Sequence, residues 1–219
     1  MMKRLLVFAV LVVAFIYSAP SYAQGDSPNL KGAYIGIGGS IAFEDFDSDF
    51  PDPHKSLGCG ESWGIDAKAG YYFNSRLSLE LDFNYLFKFE GDGKVSSSGI
   101  TADGNLDVRI FTIMPVLKVS TGASPINPFF AVGLGYMNVK KDYSETSSIS
   151  PYPYTVSEDE SDFGAKLGLG IDYFASNNLS IGLEADYMFG MGKIGMGGLD
   201  DVAYWDITLG VCYYFGMGN

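Results

Sequence analysis

The sequence predicts an all-β protein that folds as an eight-stranded antiparallel up-and-down transmembrane β-barrel. Three observations support this fold class: one stretch with a very long apolar stripe of period two, seven further segments with the same pattern, and connections that alternate between short and long. Aromatic residues make up 15% of the chain and glycine occurs 28 times. Windows rich in Ala, Glu and Lys, which favour helices, are missing, so strands are expected throughout.

The stretch 76–89, RLSLELDFNYLFKF, shows the pattern most clearly. Large apolar side chains occupy every odd position from Leu77 to Phe89, while polar side chains fill most of the even positions. This is the side-chain period of a β-strand with one apolar and one polar face. At about 3.3 Å per residue the apolar face runs for about 45 Å. Few soluble sheets need so long a stripe, whereas a strand that crosses a bilayer does.

Eight segments fit the same template in chain order. They cover residues 32–43, 62–73, 76–89, 105–119, 128–139, 162–174, 179–189 and 204–215. Segment 105–119 is the least regular. Apolar Val108 lies on one face and Asp107 and Arg109 on the other, but the alternation of apolar and polar residues is lost around Pro115. Because proline cannot donate to a strand ladder, a β-bulge is expected at Pro115.

The connections between these segments alternate in length. Short links are expected at 74–75, 120–127 and 175–178, and long ones at 44–61, 90–104, 140–161 and 190–203. Outer-membrane barrels have short turns on the periplasmic side and long loops outside. The N- and C-termini are therefore expected in the periplasm, and four long loops are expected at the cell surface.

The N-terminus has the features of an export signal. Lys3 and Arg4 precede the apolar run 5–16, and Ser21 and Ala23 occupy the small-residue positions of a cleavage site. The run is shorter than the roughly 20 residues of a membrane-spanning helix. We therefore predict a signal peptide over residues 1–23 and an outer-membrane β-barrel domain over residues 24–219.

The composition narrows the function classes. The formal net charge is −12, and cleavage after the signal peptide would remove two cations and make it more negative, which argues against nucleic acid as a partner. The single histidine, His54, lies in a proline-rich loop segment without a partner base, so no catalytic residue and no enzymatic activity are predicted.

No cofactor-binding or metal site is predicted either. The acidic run that begins at Asp45 superficially resembles the start of a calcium loop. Phe50 stands where an EF-hand needs glycine, and Ser56 where it needs the bidentate glutamate. A solvated acidic loop is therefore expected. Binding of divalent cations by the acidic loops is the alternative.

Three segments give the chain its resemblance to a known family: YIGIGG at 34–39, PFFAVGLGY at 128–136, and the closing strand. In these the chain resembles the eight-stranded outer-membrane β-barrel superfamily of OmpA-, OmpX- and OmpW-like proteins. The assembly signal of such barrels is a polar residue, a glycine two positions later, and aromatic residues three and five positions beyond the glycine. The residues that match it are Thr208, Gly210, Tyr213 and Phe215. The resemblance implies the outer membrane of a Gram-negative cell, contact with the barrel assembly machinery, and a monomer.

The polar faces of the predicted strands carry an ionic network. Its expected members in the lumen are Asp66, Lys68, Glu80, Asp82, Asp107, Arg109, Lys166, Glu184, Asp186 and Asp206. An eight-stranded barrel is just wide enough for its own side chains, so these charges are expected to form a plug. Register places Lys68 opposite Glu80 or Asp82. A gated conduit, in which Arg109 or Lys166 switches carboxylate partners, is the alternative.

The sequence thus predicts an integral outer-membrane protein with a structural or surface-interaction role exerted through its loops. Its expected partners are outer-membrane lipid and lipopolysaccharide, together with a host or cell-surface ligand. Because the loops are acidic, contact with lipid phosphates would need a cation or the few loop lysines. A narrow channel for small or hydrophobic solutes, as in OmpW-like members, is the alternative function. A soluble lipocalin-like ligand binder, with its large apolar face turned inward, is the more remote one.

Overall fold

The computed structural model describes residues 31–45, 47–48, 60–97, 100–122, 125–147, 154–191 and 199–215. The strands of these residues, in chain order, are β1 Gly32–Glu44, β2 Asp47–Ser48, β3 Glu61–Asn74, β4 Leu77–Ser97, β5 Ile100–Ser120, β6 Ile126–Ser147, β7 Tyr154–Ser176, β8 Leu179–Gly190, β9 Leu199–Asp201 and β10 Ala203–Tyr214. The predicted signal peptide and His54 lie outside the described residues.

Eight of the strands close into a barrel in the order β1-β10-β8-β7-β6-β5-β4-β3, and β2 pairs with β9 in a separate two-stranded sheet. Every neighbouring pair in the barrel is antiparallel, including β1 with β10, which closes it. The prediction of an eight-stranded antiparallel barrel is confirmed. Among the described residues, no helix is long and apolar enough to cross a membrane.

The two faces of the barrel wall have inverted polarity compared with a soluble protein. Large apolar side chains point outward and are exposed, for example Ile37 at 73% and Leu209 at 61%. Charged side chains point inward and are buried, for example Lys166 at 2% and Asp82 at 2%. Such a surface suits lipid outside and a polar interior. A lipocalin-like barrel, which needs its large apolar face inside, is therefore excluded.

One end of the barrel, here called the turn end, has short connections. Ser75 and Arg76 join β3 to β4, and the Asn74 side-chain oxygen accepts hydrogen bonds from the backbone N–H groups of Arg76, at 2.9 Å, and Leu77, at 3.0 Å. This is an Asx turn, which tightens the hairpin. Short links also join β5 to β6 and β7 to β8, and β1 begins and β10 ends here.

The opposite end, here called the hairpin end, differs from the prediction at two connections. Residues 90–104 and 140–161 were expected as loops, but β4 and β5 stay paired up to Ser97 and Ile100, and β6 and β7 up to Glu145 and Tyr154. The prediction was wrong because it ended each strand where its apolar stripe ends. A strand needs only backbone pairing to continue, and these two hairpins keep that pairing.

Aromatic residues mark where the lipid-facing band begins and ends. They form one outward girdle near the hairpin end, at Trp63, Tyr85, Phe87, Phe111, Tyr136, Phe163, Tyr187 and Trp205, and a second near the turn end, at Tyr71, Phe73, Tyr173, Tyr213 and Phe215. Girdles of this kind flank the apolar band of outer-membrane barrels, which is about 25 Å tall. Strands β4 to β7 therefore continue well beyond the membrane.

A bulge occurs in β4 and not at Pro115. The pairs Ile113 with Tyr136 and Val116 with Gly133 share one offset, so the β5–β6 register passes Pro115 unchanged, and the bulge predicted there is wrong. The register with β5 shifts instead between Leu86 and Phe89 of β4. Beyond this extra residue Lys88 faces outward, and Phe89 turns inward and is fully buried.

Candidate functional site: the barrel lumen

Side chains fill the lumen in three layers. At the turn end lies an aromatic cap, which consists of Tyr34, Tyr72, Phe174, Cys212 and Tyr214. The middle holds the ion network described below. An apolar cluster that includes Met114, Val116 and Phe129 beside the ion network extends to the hairpin end. Its main members there are Leu86, Phe89, Leu106, Val108, Ile110, Met137, Val139, Met188 and Tyr204.

Lys166 of β7 is the centre of the ion network. Its Nζ lies 2.8 Å from Asp82 Oδ2, 2.9 Å from Glu184 Oε1 and 3.0 Å from Asp186 Oδ2. All four side chains are at most 5% exposed. Since β4 and β8 supply these carboxylates, one ammonium group ties three strands together.

Lys68 of β3 joins the same network from the other side of the lumen. It lies opposite Asp82 in the β3–β4 register, one of the two partners predicted. Its Nζ nevertheless reaches Glu184 Oε2 at 2.9 Å and lies 3.6 Å from Asp66 Oδ1. Glu184 therefore bridges Lys68 and Lys166.

Lys118 is a member of the lumen that the sequence prediction missed. Its Nζ lies 2.8 Å from Asp172 Oδ2 and 3.6 Å from the centre of the Phe129 ring, an ion pair combined with a cation–π contact. The signal was present in the sequence, because an unbroken β5 puts every even residue from Leu106 to Ser120 inside. The predicted bulge at Pro115 interrupted this alternation, so the inward position of Lys118 was missed.

Hydroxyl and amide groups extend the network. The Tyr34 hydroxyl donates to Glu80 Oε2 at 2.6 Å and so links the aromatic cap to the ions. The Asn84 amide donates to Asp206 Oδ2 at 3.0 Å. Charge-assisted hydrogen bonds of this kind are stronger than neutral ones, which suits carboxylates removed from water.

Glycines make room for these groups. A Cβ at Gly168 would overlap Asp186 Oδ1, and one at Gly70 would overlap the Tyr34 ring. A cavity of about 20 Å³ remains between Lys68, Lys118 and Cys212, which is room for a single water molecule.

Most of the predicted lumen residues face the lumen, but two do not. The structure places Asp66, Lys68, Glu80, Asp82, Lys166, Glu184, Asp186 and Asp206 inside the barrel. The prediction for Asp107 and Arg109 is wrong, because both lie on the outer face, with side chains 35% and 38% exposed. An Arg109 gate within the lumen is therefore excluded.

The polarity of β5 inverts above the membrane, which explains this error. At this height the interior is apolar, with Val108 and Ile110 fully buried, and the outer face meets water and carries the charges. Arg109 forms an ion pair with Asp142 of β6, whose second oxygen accepts a hydrogen bond from Ser157 at 2.6 Å. The Ser157 hydrogen bond and the Arg109 guanidinium lower the pKa of Asp142 below its usual range.

The residues of the predicted assembly signal lie on the closing strand β10. Thr208 and Gly210 face the lumen, whereas Tyr213 and Phe215 face outward, each 48% exposed, with ring centres 5.1 Å apart. The two rings belong to the girdle at the turn end. Their exposure leaves them accessible on the outside of the barrel.

The fold and its filled, charged lumen define an integral membrane β-barrel of the outer-membrane type. The sequence matches the family described as outer membrane protein beta-barrel domain over residues 8–215, and the chain belongs to this family. This membership also assigns it to the outer membrane.

The chain is similar in sequence to a known protein and similar in fold to solved structures of other proteins. An uncharacterized protein of Coxiella burnetii (strain RSA 493 / Nine Mile phase I) is 27% identical over an alignment of 170 residues. The match covers 67% of this chain and 65% of that protein, so the chain spans about two thirds of its length. The crystal structure of Neisserial surface protein A matches at a TM-score of 0.55 and 16% identity, covering 84% of this chain and 97% of that one. OprG from Pseudomonas aeruginosa matches at 0.53 and 15%, with the same coverage. At these identities the two structures support the fold.

Proposed function

We propose that this protein is a closed outer-membrane barrel that anchors a four-stranded β-sheet outside the cell, where the sheet makes surface contacts. The observation that carries the proposal is the position of Lys166, held by three carboxylates in the middle of the lumen. In this proposal the barrel is an anchor and the extended sheet is an interaction surface. The protein is neither a pore nor an enzyme.

The difference between the two ends of the barrel supports the proposed orientation. Short turns and both ends of the barrel chain lie at the turn end, and the long hairpins lie at the other. Outer-membrane barrels place short turns in the periplasm. The proposed arrangement therefore has both termini in the periplasm, where Tyr213 and Phe215 would be read by the barrel assembly machinery, and β4 to β7 extend outward.

The filled lumen supports an anchor more than a conduit. A solute would have to part the rings of the aromatic cap, then separate Lys166 from its carboxylates, then cross the apolar cluster. Breaking a buried ion pair leaves unpaired charges and costs several kcal/mol. A narrow channel for small or hydrophobic solutes, the competing function, requires all three layers to open.

The extended sheet supports a surface role. Beyond the girdle, β4 to β7 continue as two paired hairpins, up to Ser97 with Ile100 and Glu145 with Tyr154. Paired strands hold their outward side chains in fixed positions, so a partner meets a surface that is already ordered and binding costs less entropy. A host or cell-surface ligand is the proposed partner.

Shortening the hairpins tests this role. Residues 90–107 and 142–157 end in register pairs, so each segment can be replaced by an Asn-Gly turn without shifting the remaining strands. Cells that display the shortened barrel should lose binding to cultured mammalian cells, while the protein keeps the heat-dependent gel migration of a folded barrel. The control replaces Ser75-Arg76 at the turn end by Asn-Gly and should bind normally. Undiminished binding by the shortened barrel would rule out the proposed role.

A further inference from the structure

Three cations stand side by side on the outer face near the hairpin end. Arg109 of β5 is paired in register with Lys140 of β6. Lys88 of β4 lies in the bulge between the pairs Leu86–Ile110 and Phe89–Val108, and so level with Arg109. Neighbouring strands are about 4.8 Å apart, so the three positions span about 10 Å. We call these three residues the cation row.

An acidic row lies one step farther from the membrane. Glu90 pairs with Asp107, and Asp107 pairs with Asp142, so the three carboxylates lie at one height on the same three strands. Lys88 Nζ lies 3.0 Å from both Glu90 Oε1 and Asp107 Oδ1. These two contacts hold the Lys88 ammonium from the side that faces away from the membrane. On the membrane side, Arg109 also interacts with Tyr85.

Lys140 differs from its two neighbours. Arg109 is paired with Asp142, whereas the Lys140 ammonium has no carboxylate within 4 Å among the described residues. Lys88 and Arg109 also remain accessible, with side chains 43% and 38% exposed. Within the described part of the chain, the row therefore offers an anion one cation that forms no ion pair and two that are partly exposed.

The aromatic girdle lies directly below the cation row. Tyr85 pairs with Phe111, one outward step nearer the membrane than Arg109, and Phe87 lies just below Lys88. Aromatic girdles lie at the level of the lipid headgroups. The cation row is therefore at the height where headgroup phosphates meet the barrel wall.

We propose that Lys88, Arg109 and Lys140 bind the phosphate groups of a phosphorylated glycolipid in the outer leaflet. The planar guanidinium of Arg109 can hold a phosphate through two parallel hydrogen bonds, and the two lysines supply compact charges on either side. The chain as a whole has a net charge of −12, which repels phosphate, so a row of three cations differs from the average surface. This inference rests on the proposed orientation, because the hairpin end must face the outer leaflet.

The test compares two matched variants in vesicles of phosphatidylcholine that contain bisphosphorylated lipid A. R109Q/K140Q removes one arginine and one lysine from the cation row, and K31Q/R76Q removes the same charges at the turn end. We expect lipid A binding to weaken about tenfold for R109Q/K140Q, the size of a lost charge-assisted contact, and to stay at the wild-type level for K31Q/R76Q. Dephosphorylated lipid A should bind the wild type as weakly as lipid A binds R109Q/K140Q. Heat-dependent gel migration checks that each variant is folded.

Equal lipid A binding by R109Q/K140Q and wild type would overturn the proposal, and so would displacement of lipid A by inorganic phosphate at matched phosphate concentration. The orientation is tested separately, by labelling Lys94, which lies on the β4–β5 hairpin farther from the membrane than the cation row, in intact cells with a membrane-impermeant amine reagent. Lipid A binding without labelling would mean that the proposed orientation is wrong while the site exists. Labelling without lipid A binding would overturn the site alone.

Discussion

The Lys166 ammonium lies 2.8 Å from the Asp82 carboxylate although β7 and β4 are separated in the sheet by β5 and β6. The ion pair therefore crosses the lumen and does not run along the wall. Side chains from distant strands meet because an eight-stranded barrel is narrow enough for them to touch. The same narrowness turns a set of charged side chains into a plug.

Replacing Lys166 by methionine should destabilise the barrel strongly. The variant keeps the volume of the side chain but leaves Asp82, Glu184 and Asp186 without their shared cation. Removing one partner of a buried ion pair costs about 3–5 kcal/mol, and we expect a loss of this size in urea unfolding followed by gel migration.

Lys141→Met is the matched control for this substitution. Lys141 is 6% exposed, and its Nζ is buried without a hydrogen-bond partner in the described structure. Burial lowers the pKa of Lys141, against the opposing influence of Glu160 and Glu158. Because the charged form is disfavoured in the fold, Lys141→Met should be neutral or stabilising. A loss of less than about 1 kcal/mol in Lys166→Met would contradict the network account.

Two tyrosines of the aromatic cap should respond differently to removal of their hydroxyl groups. Tyr34 donates to Glu80 at 2.6 Å, whereas the buried Tyr72 hydroxyl has no hydrogen-bond partner in the described structure. Tyr34→Phe should lower the free energy of unfolding by about 1.5–3 kcal/mol, the value of a hydrogen bond to a charged group. Tyr72→Phe should leave it unchanged or raise it. Equal effects in the same urea titration would show that the link to Glu80 carries no stability.

Gly135 should not tolerate alanine. Its Cβ would overlap the carbonyl oxygen of Ile113 and lie 2.7 Å from the Cα of Met114, so backbone would have to move. Overpacking of this kind costs about 1–3 kcal/mol. Gly39→Ala is the control, since its Cβ would meet nothing closer than an oxygen at 4.0 Å. Thermal unfolding in detergent should separate the two variants, and an unchanged midpoint for Gly135→Ala would be inconsistent with the β5–β6 register.

The hydrogen bond between Ser157 and Asp142 should persist at pH values below the ordinary pKa of an aspartate. The folded-state pKa of Asp142 is lowered, so its contribution to stability is fully present above the unfolded pKa of about 3.9 and disappears as the pH falls through the lower folded value. Carboxyl-carbon NMR should show Asp142 titrating below pH 4. The protection factor of the Ser157 amide, in which the intrinsic pH dependence of exchange is divided out, should fall over the same pH range, and Asp142→Asn should abolish this fall. A titration midpoint above pH 4 would contradict the Arg109–Asp142–Ser157 arrangement.

The sequence predicted the architecture well because one physical rule governs the membrane-spanning part. Lipid outside and polar groups inside force a period of two on every strand, so the faces of residues such as Ile37 and Lys166 could be assigned from position alone. The β3–β4 turn then set the register that places Lys68 opposite Asp82. The partners of Lys68 could not be predicted, because they depend on which side chains meet across the lumen.

The same rule failed where the barrel leaves the membrane. Above the girdle the interior is apolar and the outer face is charged, so polarity assigned Arg109 to the wrong face and ended β4 too early. The bulge before Phe89 also exchanged the inward and outward positions of β4. No glycine or proline at the bulge indicated this in the sequence. In β5 the odd residues face outward and the even residues face the lumen on both sides of Pro115. Applying this alternation to the whole strand would have placed both Arg109 and Lys118 correctly.

The most direct test of the closed lumen is conductance across a planar lipid bilayer. Purified protein that shows the heat-dependent migration of a folded barrel should insert and produce no steady conductance steps, because Lys166 and its three carboxylates fill the path. Steady, reproducible single-channel steps from the wild-type protein would contradict the account and favour the narrow channel.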